Sequence, residues 1–247
     1  MLRMLMKAIV SLMLITAMPS ISLAADSMPP AFTATYQLNK FGLNAAQAKI
    51  MLQRSENGTW IYKSQTHTKG LVALFRDDEI IESTTLRVEG QMIKPILYVY
   101  QHKGSKKNRD QRINFDWNNL QAKSMVSGHP SRIRILNNTV DNFSLQLQMM
   151  MDLSGKGLAD SYSILKKGEL EEYRFQQFDE ELIPTPAGDF QAIRLLRERE
   201  NSKRKTIMWT AGELHHLPIK ITHIEDDGTE FTLLLSNIQG LNQQQND

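Results

Sequence analysis

The sequence predicts a mainly β protein: a curved antiparallel sheet or half-barrel with one short-to-medium helix packed on it. Three observations carry this reading. Apolar and polar residues alternate with period two along most of the chain, Asn-Gly and Asp-Gly pairs join successive runs, and only one stretch has helical composition. Alternation sends successive side chains to opposite faces, so one face of each strand can be buried. A glycine in the connecting pair accepts the positive φ that a tight hairpin needs.

The chain opens on a segment with a different purpose. Arg3 and Lys7 precede an apolar run, Ala8 to Met18, and Ser22-Leu23-Ala24 offers small residues for cleavage after Ala24, with Ala25 as the close alternative. Residues 1–24 are therefore expected to be a secretory signal peptide, too short in its apolar core for a stable membrane anchor. Residues 25–241 are expected to form a single β-rich domain, with periplasmic localisation, and the Gln/Asn-rich tail 242–247 to be disordered.

The first strand is expected from Phe32, Ala34, Tyr36 and Leu38, which share a face, and the second over Ala45 to Arg54. Asn57-Gly58 turns the chain into Thr59–Thr68. A helical turn is possible over Gly70–Phe75. Strand text resumes at Glu79–Val88 and Met92–Gln101, where Pro95 calls for an edge or a bulge because it donates no backbone hydrogen bond. Arg112 to Trp117 and Leu120 to Val126 form a hairpin around Asn118-Asn119.

The helical stretch is Phe143–Leu153, with Asp141 or Asn142 as cap and Gly155 and Gly157 as stops. It divides the chain into two meanders. The second meander reads as strands at Asp160–Leu165, Leu170–Phe178, Phe190–Leu196, Thr206–Thr210, Ile219–Glu225 and Thr229–Ile238, with Asp226-Asp227-Gly228 as its last turn. No βαβ rhythm is visible.

Composition narrows the function classes. The 29 basic residues include Arg3 and Lys7, so the chain without its leader balances 27 against 27 acidic residues. Bulk charge then gives no case for a nucleic-acid partner. The absence of cysteine removes disulfides, thiol nucleophiles and Cys-based metal sites, and the domain has to stand on its own core. After the leader, no apolar run is long enough to span a membrane.

Candidate chemistry is sparse. His215, His216 and His223 lie beside Glu225, Asp226 and Asp227, but adjacent histidines on an extended strand point to opposite faces and do not share an ion. No metal and no cofactor is expected. No nucleophile elbow, Ser-x-x-Lys, His-Glu-x-x-His or phosphate loop is present, and no catalytic residue is assigned. The basic stretch Lys103 to Arg134 reads as a solvated strand face, or as a contact for anionic lipid or glycolipid head groups. In the helix, Phe143, Leu147, Met150 and Met151 are the candidate ligand-binding residues, since Met, Leu and Phe can line an adaptable apolar cavity. Core packing accounts for them equally well.

Several local patterns occur together in order. They are the Tyr36 strand, Pro95 with Tyr98, Phe115-Asp116-Trp117, Asp141-Asn142-Phe143-Ser144-Leu145 and Thr185-Pro186-Ala187-Gly188-Asp189-Phe190. Trp209, Leu217-Pro218-Ile219-Lys220-Ile221 and Asp227-Gly228 before Phe231 complete them. In these the chain resembles the DUF3108 family of exported bacterial proteins. The resemblance implies an exported β-rich protein and no particular activity or site. The leading functional expectation is non-catalytic binding of an apolar or amphipathic envelope component, a lipid or glycolipid. An envelope-polymer hydrolase with a site assembled from dispersed acidic or His residues, and a protein–protein module using a sheet edge, stand as alternatives.

Overall fold

The alternating text folds as one long sheet. The computed structural model describes residues 28–40, 42–70, 78–104, 109–198 and 203–241. The expected signal peptide, most of the Gly70–Phe75 turn and the tail from residue 242 lie outside the described residues.

In chain order the first eight strands are β1 (Phe32–Lys40), β2 (Leu43–Arg54), β3 (Trp60–Thr68), β4 (Glu79–Glu89), β5 (Met92–Lys103), β6 (Arg109–Asp116), β7 (Gln121–Val126) and β8 (His129–Arg134). The short β9 (Thr139–Asp141) leads into helix α1 (Leu145–Ser154), followed by β10 (Tyr162–Lys166) and β11 (Glu169–Tyr173). The chain closes with β12 (Gln176–Thr185), β13 (Gly188–Glu198), β14 (Lys205–Ala211), β15 (Leu217–Ile224) and β16 (Glu230–Gln239).

Thirteen of these strands make one antiparallel sheet in the order β12-β13-β14-β15-β16-β1-β2-β3-β4-β5-β6-β7-β8. The two meanders are thus not separate halves meeting at the helix: β1 pairs with β2 on one side and β16 on the other, which makes them continuous. The sheet does not close on itself, and β8 and β12 are its ends. Register shifts at Thr35/Tyr36, Leu38/Asn39, Thr85/Leu86 and Trp209/Thr210 mark bulges, which bend a strand and add twist.

Pro95 sits at one of these. Leu86 is paired with Pro95 and Thr85 with Leu97, leaving Ile96 as the extra residue. Pairing of β5 with β6 begins only at Leu97, so the proline leaves that ladder intact.

A second, three-stranded sheet has the order β11-β10-β9, with β9 and β10 parallel. Here the expectation of no βαβ unit fails, since β9, α1 and β10 form a small one. Three residues of β9 are too few to leave a periodic trace, and both strands are largely buried, which removes the alternation.

The helix begins two residues later than expected. Asp141 accepts the backbone N–H of Phe143 (2.9 Å) and Ser144 (2.8 Å) and the Ser144 hydroxyl (2.7 Å), fixing the turn ahead of it. Gly155 and Gly157 both return their N–H groups to Asp152 O, ending it. Seven of its ten residues are buried, from Leu145 to Asp152, so it is a core element and not a surface lid. Gln148 ties it to the β4–β5 hairpin, accepting from Ile93 N at 2.7 Å and donating to Gln91 O at 3.0 Å.

Candidate functional site

Register decides which side chains share the inner face of the large sheet. Glu82, Tyr100, Gln111 and Val126 stand opposite one another on β4 to β7. At the far end Arg197, Thr206, His223 and Phe231 form a row across β13 to β16, and Leu195, Met208, Ile221 and Leu233 form an apolar row beside it. Asn142, Phe143, Leu145, Gln146 and Met149, with Lys166 of β10 and Tyr173 of β11, line the same space as residues of both ends.

Two cavities remain there. The larger, about 400 Å³, has an apolar wall of Phe143, Leu145, Met149, Phe175, Met208, Ile221 and Leu233, with Glu82, Lys166, Arg197, Thr206 and His223 among its polar groups. The smaller, about 300 Å³, is lined by the row Glu82, Tyr100, Gln111 and Val126 together with Tyr98, Arg109, Asp110 and Lys167. Glu82, Asn142 and Lys166 belong to both walls, so the two cavities are neighbours and together form the candidate cleft.

Glu82 is the group most altered by this setting. Its carboxyl is raised to about 7: burial pushes it up most, the Tyr98 hydroxyl bond at 2.7 Å pulls it down, and the Asp141 carboxylate adds to the rise. Asp141 is itself raised by burial, against which its bonds from Ser144, Thr84 and Phe143 act. Those bonds commit Asp141 to holding the turn. Beside it, the Phe143 ring stacks on Tyr62 at 4.1 Å between centroids, and the fully buried Tyr62 hydroxyl is raised well above its ordinary value, mainly by desolvation.

The cationic side is equally organised. Lys166 Nζ donates to the Tyr173 hydroxyl at 3.2 Å, and the Arg197 guanidinium lies 4.0 Å from the centre of the Tyr173 ring. Thr206 Oγ1 is 3.1 Å from His223 Nδ1, and His223 Nε2 is 3.3 Å from Glu225 Oε1. Arg197 reaches the same Thr206 oxygen at 3.4 Å, and Arg204 shares Glu225 at 3.0 Å.

The structure separates the four candidate ligand residues. Phe143 lines the larger cavity, whereas Leu147, Met150 and Met151 are sealed in the core at 0–2% exposure. Leu145, Gln146 and Met149 take their place on the cavity wall. Composition could not distinguish these faces, because apolar residues fall on both the cavity side and the core side of the helix.

His215 and His216 are not on an extended strand. Both have left-handed backbone, φ 53° and 57°, in the turn between β14 and β15. Among the described residues no three His, Asp or Glu side chains converge as metal ligands would. The basic stretch divides: Arg109 reaches the smaller cavity, while Arg112, Lys123, Arg132 and Arg134 are exposed. Glu82, Tyr100, Gln111 and Arg197 escaped sequence reading. The available signal was a carboxylate at Glu82 in the phase of Ile80, Thr84 and Leu86, where an apolar residue belongs.

A family model described as protein of unknown function (DUF3108) matches residues 31–236. No curated protein matches the sequence. Among solved structures, the chain is similar to a β-barrel-like protein of the domain of unknown function DUF1849 from Brucella abortus. The TM-score is 0.57 at 7% identity, over 85% of this chain and 98% of that one. A candidate exported protein with a YmcC-like fold from Bacteroides fragilis aligns with TM-score 0.32 at 9% identity, over 86% of this chain and 98% of that one. The first likeness concerns the fold alone. Among the described residues no helix is long and apolar enough to cross a membrane.

Proposed function

The chain belongs to the DUF3108 family of proteins of unknown function, and we propose that its role is non-catalytic binding of an apolar or amphipathic envelope component, a lipid or glycolipid, in this cleft. One observation supports the reading above the others. The larger cavity joins a continuous apolar wall, Phe143, Met149, Met208, Ile221 and Leu233, to an ionic flank, Lys166, Arg197 and Glu82. An amphiphile has the same division. The volume of about 400 Å³ lies within the range of small-molecule sites, about 300–1,000 Å³. The leader expected to direct export would carry the protein to where such ligands occur, which supports the reading.

The test is equilibrium titration with a fluorescent single-chain acyl probe, using the native domain and Leu233→Trp, which puts a bulky ring into the apolar wall. Saturable one-to-one binding that the variant abolishes is the expected result. No binding, or equal binding by both proteins, would overturn the reading.

A hydrolase is the second reading, and the line Thr206–His223–Glu225 favours it, since a hydroxyl, an imidazole and a carboxylate in sequence can activate a nucleophile. Against it, Arg197 donates to the same hydroxyl oxygen and Arg204 shares the carboxylate. Strand addition at a sheet edge has less support: β12 carries Asp179, Glu180 and Glu181, and β8 carries Pro130, Arg132 and Arg134, residues that discourage edge pairing.

A further inference from the structure

We propose that the two cavities are a single site and that the smaller one holds the head group of the amphiphile, an oxyanion bound by Gln111, Arg109, Lys166 and Lys167. The inference rests on the amphiphile reading above and adds the chemistry of the head.

Continuity comes first. Glu82, Asn142 and Lys166 line both cavities, so a ligand with its chain on the Phe143–Leu233 side can extend its head past Lys166 towards Gln111. Lys166 lines both cavities, and Lys167 and Arg109 line the smaller one.

Gln111 then points to an acceptor. It is only 9% exposed, and its Nε2 has no hydrogen-bond partner within the protein. A buried amide donor left unmade is costly, and an anionic oxygen is the strongest acceptor it could meet. Its backbone position is fixed by pairing on both sides, with Tyr100 and Val126. The amide therefore sits on a rigid sheet and not on a loop.

Charge agrees with this assignment. Three cations, Arg109, Lys166 and Lys167, share the smaller cavity with two carboxylates, Asp110 and Glu82. Burial raises the Glu82 carboxyl to about 7, which lowers its opposition to an anion below neutrality. A planar guanidinium suits paired oxygens of a phosphate or carboxylate, which an uncharged sugar head does not offer.

The experiment compares three twelve-carbon amphiphiles below their micelle concentrations: dodecyl phosphate, dodecanoate and dodecyl maltoside. Each is titrated against the native domain, Lys167→Gln and Gln111→Glu. The proposal expects the anionic heads to bind the native domain about tenfold or more tighter than the maltoside. Lys167→Gln and Gln111→Glu should remove most of that advantage, bringing the affinity for the anionic heads down towards that for the maltoside. Lys167 is exposed, so its variant keeps the test valid even where Gln111→Glu perturbs folding. Preference for phosphate over carboxylate, or the reverse, identifies which oxyanion the site favours. Equal affinity for all three heads overturns the head-group assignment and leaves the amphiphile reading standing. Failure of all three to bind overturns both.

Discussion

Tyr98 donates its hydroxyl to Glu82 Oε1 at 2.7 Å, across the β4–β5 pair and on the wall of the smaller cavity that Asn142 also lines. The bond holds a carboxyl raised from 4.5 to about 7, chiefly by burial, with Asp141, Lys166, Tyr100 and Tyr62 among its charged or titratable neighbours.

The sign of the pH effect follows from that direction. Between pH 4.5 and 7 the unfolded chain releases the Glu82 proton while the folded one keeps it, so stability falls as pH rises through this window and levels above it. Glu82→Gln should remove the slope. Its unfolding free energy should equal that of the native domain near pH 4 and exceed it at pH 8 by up to about 3 kcal/mol, less where solvent reaches the carboxyl. Denaturant titrations at the two pH values measure this, and parallel profiles for both proteins would refute it.

Asp141 should matter more for folding than for binding. Its carboxylate accepts from Thr84, Phe143 and Ser144, four bonds in all, at the entrance to α1. Asp141→Ala leaves those donors buried without an acceptor and should cost about 3 kcal/mol, with Asp141→Asn costing less because its amide oxygen still accepts. Urea unfolding of the three proteins gives the comparison, and an alanine variant as stable as the native domain would contradict the assignment.

These two carboxylates show how far the sequence could be read. Asp141 or Asn142 was readable as a cap from its place before a helical run, but the N-cap position is Ser144, and Asp141 holds the turn ahead of it. Glu82 was recognisable only as an oddity in the apolar phase, because its significance depends on Tyr100 and Gln111, 18 and 29 positions along the chain, standing opposite it in register. Turn residues announced most hairpins, and the Asp227-Gly228 turn formed as expected, with Gly228 N–H bonded to Glu225 O. The β1–β16 pairing that unites the meanders leaves no local trace. For the same reason the cavity lined from both β4 and the β13–β16 strands leaves no local trace, and Leu147, Met150 and Met151, expected to bind ligand, are buried in the core.

The hydrolase reading has its own check. If Thr206 and His223 serve only as polar lining, the native domain and Thr206→Ala will hydrolyse aryl esters of short acids at the same background rate. A fall of about a hundredfold in the variant would instead make Thr206 a nucleophile. Release of the aryl alcohol, followed by absorbance, separates the outcomes.

Occupancy of the cleft is the central claim, and the direct measurement is native mass spectrometry of protein purified without detergent from its own cell envelope. The native domain should carry a lipid- or glycolipid-sized adduct, and Leu233→Trp, prepared in parallel, should have lost it. A native domain without an adduct, or an adduct retained equally by the variant, would contradict binding at the Phe143–Leu233 wall.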